Sequence, residues 1–227
     1  MIRKLIRRIL GTGSSKTGAV EPVVYEQSAH GIALEDVSPN AIKVTQTLQQ
    51  AGFKAFIVGG AVRDLLLGYR PKDFDVATNA TPEEVKRLFR RAFIIGRRFQ
   101  IVHVMFGQDL IEVTTFRGAS TDEAPKDAHG RVLRDNTFGE QHEDAERRDF
   151  TVNAMYYDPA REQVLDYHGG MKDIRSKTLR IIGVPEARYR EDPVRMLRVV
   201  RFAAKLGFSI AAPTRSPIKV MAPLIDH

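Results

Sequence analysis

Apolar residues recur along the chain in short blocks, and the polar, glycine and proline residues between them mark where each block starts and stops. Ser38-Pro39 opens a helix, with serine as N-cap and proline at the first helical position, and Gly52 closes it after Gln50-Ala51, so residues 39–51 are predicted helical. Phe53 to Val58 is a short apolar run ending in Gly59-Gly60, the pattern of a strand entering a tight turn. Val62 to Leu67 reads as a short helix capped by Gly68, and Asp73 to Ala77 as a strand. Thr81-Pro82-Glu83-Glu84 opens a helix expected to run through Arg91, and two strands follow around 99–106 and 110–116. Asp149 to Tyr157 is predicted helical and Leu179 to Ile182 a last strand. Asp192-Pro193 then starts a helix carrying Met196, Leu197, Val199, Val200, Phe202 and Ala203, which ends at Gly207. The mixture predicts an α/β fold, interrupted by a polar, aperiodic stretch, Gly118 to Asn136, expected to be a mobile loop.

Composition narrows the classes. A chain of 227 residues, 43% hydrophobic and 28% charged, is neither disordered nor fibrous and has room for one or two domains. The excess of 35 Lys and Arg over 28 Asp and Glu gives a net charge of +7 and a pI of about 9.7, which points to nucleic acid or nucleotide phosphates as partners. The absence of cysteine excludes disulfide scaffolds, thiolate nucleophiles and cysteine zinc sites. No apolar run reaches the roughly 18 residues of a membrane span, and a soluble, cytoplasmic protein is expected. Residues 1–24 are expected to form a flexible basic leader: Ile2, Leu5, Ile6, Ile9 and Leu10 fall at helical spacing with Arg3, Lys4, Arg7 and Arg8 between them, which breaks the continuous apolar region a secretory signal needs. The stretch 11–18 lacks the glycine before Lys16 that a P-loop requires, because Ser15 stands there.

Candidate chemistry concentrates in carboxylates. On a strand, residues i and i+2 share a face, so Asp73 and Asp75 are expected to present two hard oxygen ligands side by side, a set that suits Mg2+. The preceding Gly59-Gly60 turn would let backbone N–H groups approach a triphosphate, with Arg63 as an added charged donor. Glu112 stands alone in the apolar, β-branched run Leu110 to Phe116, either as a third carboxylate that meets a cation or as an outward-facing residue of a half-exposed strand. Three carboxylates holding two metals would activate an attacking hydroxyl and neutralise a leaving pyrophosphate.

The run 59–78, Arg147-Arg148-Asp149-Phe150-Thr151-Val152-Asn153-Ala154, Asp166-Tyr167-His168-Gly169-Gly170 and Glu191-Asp192-Pro193-Val194-Arg195 together resemble, in order, the motifs of the class II nucleotidyltransferases, the family of bacterial poly(A) polymerases and tRNA CCA-adding enzymes. The resemblance covers about residues 53–208. It implies a nucleotidyltransferase head, a mixed β-sheet flanked by helices, over residues 25–186, followed over 187–227 by the start of an all-helical neck. It also implies Asp73, Asp75 and Glu112 as metal-binding catalytic carboxylates with Asp149 in the catalytic set, Mg2+ or Mn2+ as cofactor, and ATP and RNA 3′ ends (mRNA, small RNA or tRNA) as partners. Gly59, Gly60, Arg63, Arg148, Asn153, Asp192, Arg195, Arg198 and Arg201 would bind nucleotide, and Gly169-Gly170 would be the flexible element between head and neck. Two of these residues carry an alternative: Asp149 as N-cap of a helix over 150–157, and Asp192 as cap of the helix begun by Pro193.

If Asp192 and Arg195 address one base, the acceptor and donor they offer match adenine and cytosine and leave buried charges unpaired against guanine and uracil. Arg198 and Arg201 continue the three-residue spacing, but about −60° of rotation per step carries Arg201 to the far side from Asp192. The segments 95–107 and 188–198 resemble the poly(A) polymerase branch, whose expected reaction is template-independent transfer of AMP to RNA 3′ ends in RNA polyadenylation and turnover. The alternatives are CCA addition to tRNA, or a nucleotide- or RNA-binding head with little turnover. Family members continue into helical body and tail domains, so a chain stopping at His227 is expected to be a fragment or a truncated product.

Overall fold

The computed structural model describes residues 20–96, 99–118 and 137–226. Most of the expected leader, the loop beyond Gly118, and Arg97 and Arg98 therefore lie outside the described residues.

Among these residues one sheet of eight strands organises the fold. The strands are β1 (Val23–Tyr25), β2 (Ala55–Val58), β3 (Asp75–Thr78), β4 (Ala92–Ile95), β5 (Ile101–Phe106), β6 (Asp109–Thr115), β7 (Met155–Asp158) and β8 (Gln163–Asp166), in the spatial order β1-β8-β7-β2-β3-β6-β5-β4. Within this sheet only the β3–β6 pair is parallel, so the expected mixed sheet is present. One face packs the main core, with Ile57, Val76, Val113, Met155 and Tyr157 against the helix Pro39–Gln50 and the C-terminal helices. The other face carries a smaller cluster of Phe56, Val58, Ala77, Phe116 and Tyr156, covered in part by Ala145 of the helix Gln141–Arg147.

The local signals for helices hold where a side chain satisfies the first turn. Ser38 accepts from the Ala41 N–H, and Thr81 and Glu84 form a reciprocal capping box. The second helix stops at Leu88, short of Arg91, because the chain turns there into β4, a strand absent from the sequence-based scheme; the carbonyl of Arg91 already accepts from Met105 of β5.

Three further expectations change. The strand expected from Asp73 begins at Asp75, whose partners are Val58 of β2 and Glu112 of β6. Val58 is the last residue of β2 before Gly59 turns the chain away, so no β2 residue is left to pair with Asp73. The helix expected over 149–157 is instead a 3-10 turn, Thr151–Asn153, followed by β7. Residues 151–158 are buried on every side, so an apolar run carried no periodicity by which to tell helix from strand, and the β-branched and aromatic side chains fit the centre of the sheet. The strand expected over 179–182 shrinks to Thr178–Leu179, paired with Ser209–Ile210, while Ile181 makes a single bridge to Phe150. Val23 and Val24, placed in the leader by the sequence, belong to β1, which pairs with β8.

After the sheet, the helix Pro185–Glu191 leads through Asp192, with extended backbone, into the helix Val194–Leu206, which ends on Gly207 in the left-handed conformation as expected. Tyr189, Met196, Val199, Phe208 and Met221 join the main core, so these helices are continuous with the head. No helix among the described residues is long and apolar enough to cross a membrane.

Candidate active site

Strand register builds the site. Reading across the sheet, Val24, Leu165, Tyr156, Val58, Asp75, Glu112, His103 and Phe93 stand opposite one another on successive strands and therefore share the face of the smaller cluster. Halfway along this apolar row two carboxylates lie side by side. Asp73 joins them from the segment before β3, where buried Phe74 points the other way and leaves Asp73 and Asp75 on the open side.

Burial and neighbouring charge both act on Asp75. Burial against the apolar row, with repulsion from Glu112 and Asp73, raises the Asp75 carboxyl from 3.8 to about 6, in spite of the attraction of Arg148. Hard oxygen donors held at that cost fit a divalent cation, and Asp73 and Asp75 are the residues that would hold it. The three-carboxylate cluster expected from the sequence is not assembled as such: no group of three or more His, Asp or Glu side chains is drawn to metal-binding closeness among the described residues. Glu112 instead approaches His103, 3.8 Å from its Nε2.

Gly59 has φ +73° and ψ −133°, a conformation closed to other residues, and it places the start of the helix Gly60–Leu66 beside the carboxylates. A Cβ at this position would lie 3.5 Å from Nη1 of Arg148 and 3.9 Å from Oδ2 of Asp75, so the turn, the arginine and the carboxylate converge. Arg148 is fixed from behind: Nε and Nη2 donate to Oδ2 of Asp144 at 3.2 and 3.0 Å, the guanidinium lies over the Tyr156 ring, and the Tyr156 hydroxyl donates to the same oxygen at 2.6 Å. Asp144, four residues before Arg148 on a helical face, is a functional residue that sequence reasoning missed; the i,i+4 spacing is the signal that could have found it.

Other expected nucleotide-binding residues are turned inward. Arg63 is 3% exposed and its donors are committed to Asp64 and to Oδ1 of Asn153 at 2.7 Å, with Phe202 beneath it, so it braces the glycine turn rather than reaching toward a triphosphate. Asn153 is committed at both ends, accepting from Arg63 and donating to Oδ1 of Asp149 at 3.2 Å. Asp149 caps no helix over 150–157; it accepts from the Phe150 N–H and, through Oδ2, a two-pronged pair from Nε and Nη2 of Arg198 at 3.0 and 2.6 Å. A polar chain thus runs from the glycine turn through Arg63, Asn153 and Asp149 to Arg198 of the C-terminal helix. Arg201 is exposed on that helix.

Asp192 stands one residue before the N-cap, Pro193, and closes an Asx-type turn, its Oδ1 accepting from the Val194 N–H at 3.1 Å. Arg195 is largely buried and donates to Oε2 of Glu191 at 2.7 Å and to the Arg188 carbonyl at 3.2 Å. Gly169 takes φ +76°, and Gly170 is packed against Thr151 and Met155 with its N–H on Asp166, so the segment is tightly held rather than free.

A family profile described as "Poly A polymerase head domain" matches residues 55–180. The chain is 50% identical over 230 residues to poly(A) polymerase I of Escherichia coli O6:H1, covering 99% of this chain and 50% of that protein. It is 40% identical over 194 residues to the CCA-adding enzyme of Bacillus subtilis, covering 86% of this chain and 48% of that protein. Its fold is similar to a crystal structure of the Bacillus stearothermophilus CCA-adding enzyme in complex with CTP, at a TM-score of 0.70 and 39% identity over 84% of this chain and 46% of that one. The chain thus spans about half the length of these relatives. With Asp75, Glu112, Arg148 and the Gly59 turn all inside the matched segment, the chain belongs to the poly(A) polymerase head-domain family.

Proposed function

We propose that this chain is the catalytic head and first neck helices of a template-independent poly(A) polymerase, which transfers AMP from ATP to RNA 3′ ends in the cytoplasm. The observation that carries the proposal is the meeting of the Asp75 carboxylate and the Arg148 guanidinium at the Gly59 turn, with Asp73 and Glu112 near enough to act on the Asp75 charge. The branch is supported by 50% identity to a poly(A) polymerase I against 40% to a CCA-adding enzyme.

In this reaction the RNA 3′-hydroxyl oxygen bonds to the α-phosphorus of ATP and releases its proton to solvent, the bond from the α-phosphorus to the oxygen bridging to the β-phosphate breaks, and pyrophosphate leaves with that oxygen. Asp73 and Asp75 would hold a divalent cation, which when bound would supply Lewis-acid activation of the hydroxyl and charge neutralisation at the phosphates. Arg148, pinned by Asp144 and Tyr156, presents a fixed positive charge beside Asp75 where phosphate oxygens would lie. The missing side chain of Gly59 leaves the approach to both open. Asp192 and Arg195 sit at the junction of two helices, where their acceptor and donor would accept adenine or cytosine and reject guanine and uracil.

The 227-residue chain is incubated with Mg2+ and an unstructured RNA, each nucleotide supplied separately, and 3′ extension is read on a gel. Long tails from ATP alone are the expected result. Addition limited to C and A would support the CCA-adding reading, which the likeness to the CTP-bound structure favours. No extension by a folded chain that binds ATP would overturn polymerase activity for this chain and leave a nucleotide-binding head.

A further inference from the structure

Arg188 stands three residues before the Glu191-Asp192 pair, on the helix Pro185–Glu191, and belongs to none of the expected site residues. Its main chain serves one half of the site. The Arg188 carbonyl accepts from the Asp192 N–H at 3.2 Å and from Nη1 of Arg195, also at 3.2 Å. Its side chain serves the other half. Nη2 donates to the carbonyl of Arg147 at 2.7 Å and to that of Arg148 at 2.9 Å, across some forty residues of sequence. Nη1 donates to Oε2 of Glu191 at 2.9 Å, the same oxygen that receives Arg195.

We propose that Arg188 is a positioning residue that sets the base-reading pair Asp192 and Arg195 in register with Arg148 at the carboxylate end of the site. The inference rests on the reading of Asp192 and Arg195 as the residues that contact the base. Arg188 does more than terminate the helix Gln141–Arg147: a helix cap needs one donor on one free carbonyl, whereas this guanidinium spans two consecutive carbonyls and a carboxylate on its own helix. Its Nε is buried and, among the described residues, finds no hydrogen-bond partner, so the guanidinium is committed through its two terminal nitrogens. The fork geometry is specific to arginine; a lysine ammonium keeps the charge and can hold a carbonyl, but it cannot span Glu191 and both carbonyls in one plane.

The test compares Arg188→Lys and Arg188→Gln with Arg190→Gln, which removes an exposed charge from the same helix. Equilibrium dissociation constants for fluorescent ATP and GTP analogues are measured on the whole chain, with thermal unfolding alongside. The expected result is a fall of about tenfold in the ATP over GTP preference in both Arg188 variants and no change in Arg190→Gln, the size associated with losing control of one charge-assisted hydrogen bond. A lysine variant that folds like the wild type yet loses preference is the signature of positioning. Unchanged preference in Arg188→Lys and Arg188→Gln, with only a lowered melting temperature, would reduce Arg188 to a helix cap and overturn the proposal. A wild-type chain that prefers ATP but does not extend RNA defeats the polymerase reading and leaves this test intact; one that binds ATP and GTP alike defeats the base reading and this inference with it.

Discussion

Asp75→Asn is expected to make the metal-free protein more stable at neutral pH while removing activity. Among the described residues the Asp75 side chain makes no hydrogen bond that asparagine would lose, and its carboxyl is raised from 3.8 to about 6 by burial and by Glu112 and Asp73. Because the folded-state value lies above the unfolded one, the stability it contributes is fully present below about pH 4 and is lost as the pH climbs through 6. At about 1.4 kcal/mol per pH unit the full effect is about 3 kcal/mol, and screening of this partly exposed group by solvent leaves about 1–2 kcal/mol. At pH 8 in EDTA the variant should therefore melt a few degrees higher than the wild type, at roughly 2–4 °C per kcal/mol for a chain of this size. Urea denaturation of both proteins at half-unit steps from pH 4 to 8 reads the difference directly: the curves should coincide near pH 4 and separate through pH 6. Adding Mg2+ should raise the wild type toward the variant and leave the variant unmoved. A variant that is less stable than the wild type at pH 8, or a gap that does not close on acidification, would refute the claim that charge is crowded at Asp75.

Asp73→Ala, measured in the RNA extension assay, should lose AMP transfer with circular dichroism unchanged, because Asp73 is exposed and outside the ladder. Asp192→Ala should lose preference for ATP over GTP and UTP before it loses triphosphate binding, as read by competition binding. Asp149→Ala removes both prongs of the Arg198 pair and the Asn153 contact, and should cost about 2–3 kcal/mol in urea denaturation. Gly170→Ala would drive a methyl into the Thr151 carbonyl and to 2.9 Å from Met155, with the backbone N–H tethered by Asp166, and should cost about 2–3 kcal/mol by thermal unfolding.

Local signals proved legible where a side chain closes its own turn. Ser38, Thr81 with Glu84, and Gly207 act within four residues of themselves, so the sequence carries their geometry. The helix expected over 149–157 does not form, and burial on every side erases the periodicity that would have shown it; only its place between β2 and β8 makes Met155–Asp158 a strand. β1 and β4 were missed for a related reason: three or four residues at a sheet edge are held by their neighbours and not by their own propensity.

The site divides in the same way. The sequence by itself determined the chemistry available: the Asp73 and Asp75 pair, the glycine turn, the order of the arginine-rich motifs and their family. Tertiary structure decided which of those groups face the site. Arg63 and Asn153 look like ligand-binding groups in one dimension, and the fold commits them to each other, because a buried polar group must find its partner inside the protein. Asp144 and Arg188 look unremarkable in sequence, yet they fix Arg148 and Arg195, since the contacts that aim a side chain come from segments far apart along the chain. Parallel pairing of β3 with β6 brought Glu112 beside Asp75 across thirty-odd residues, and that long-range register is what loads the charge on which the proposed chemistry depends.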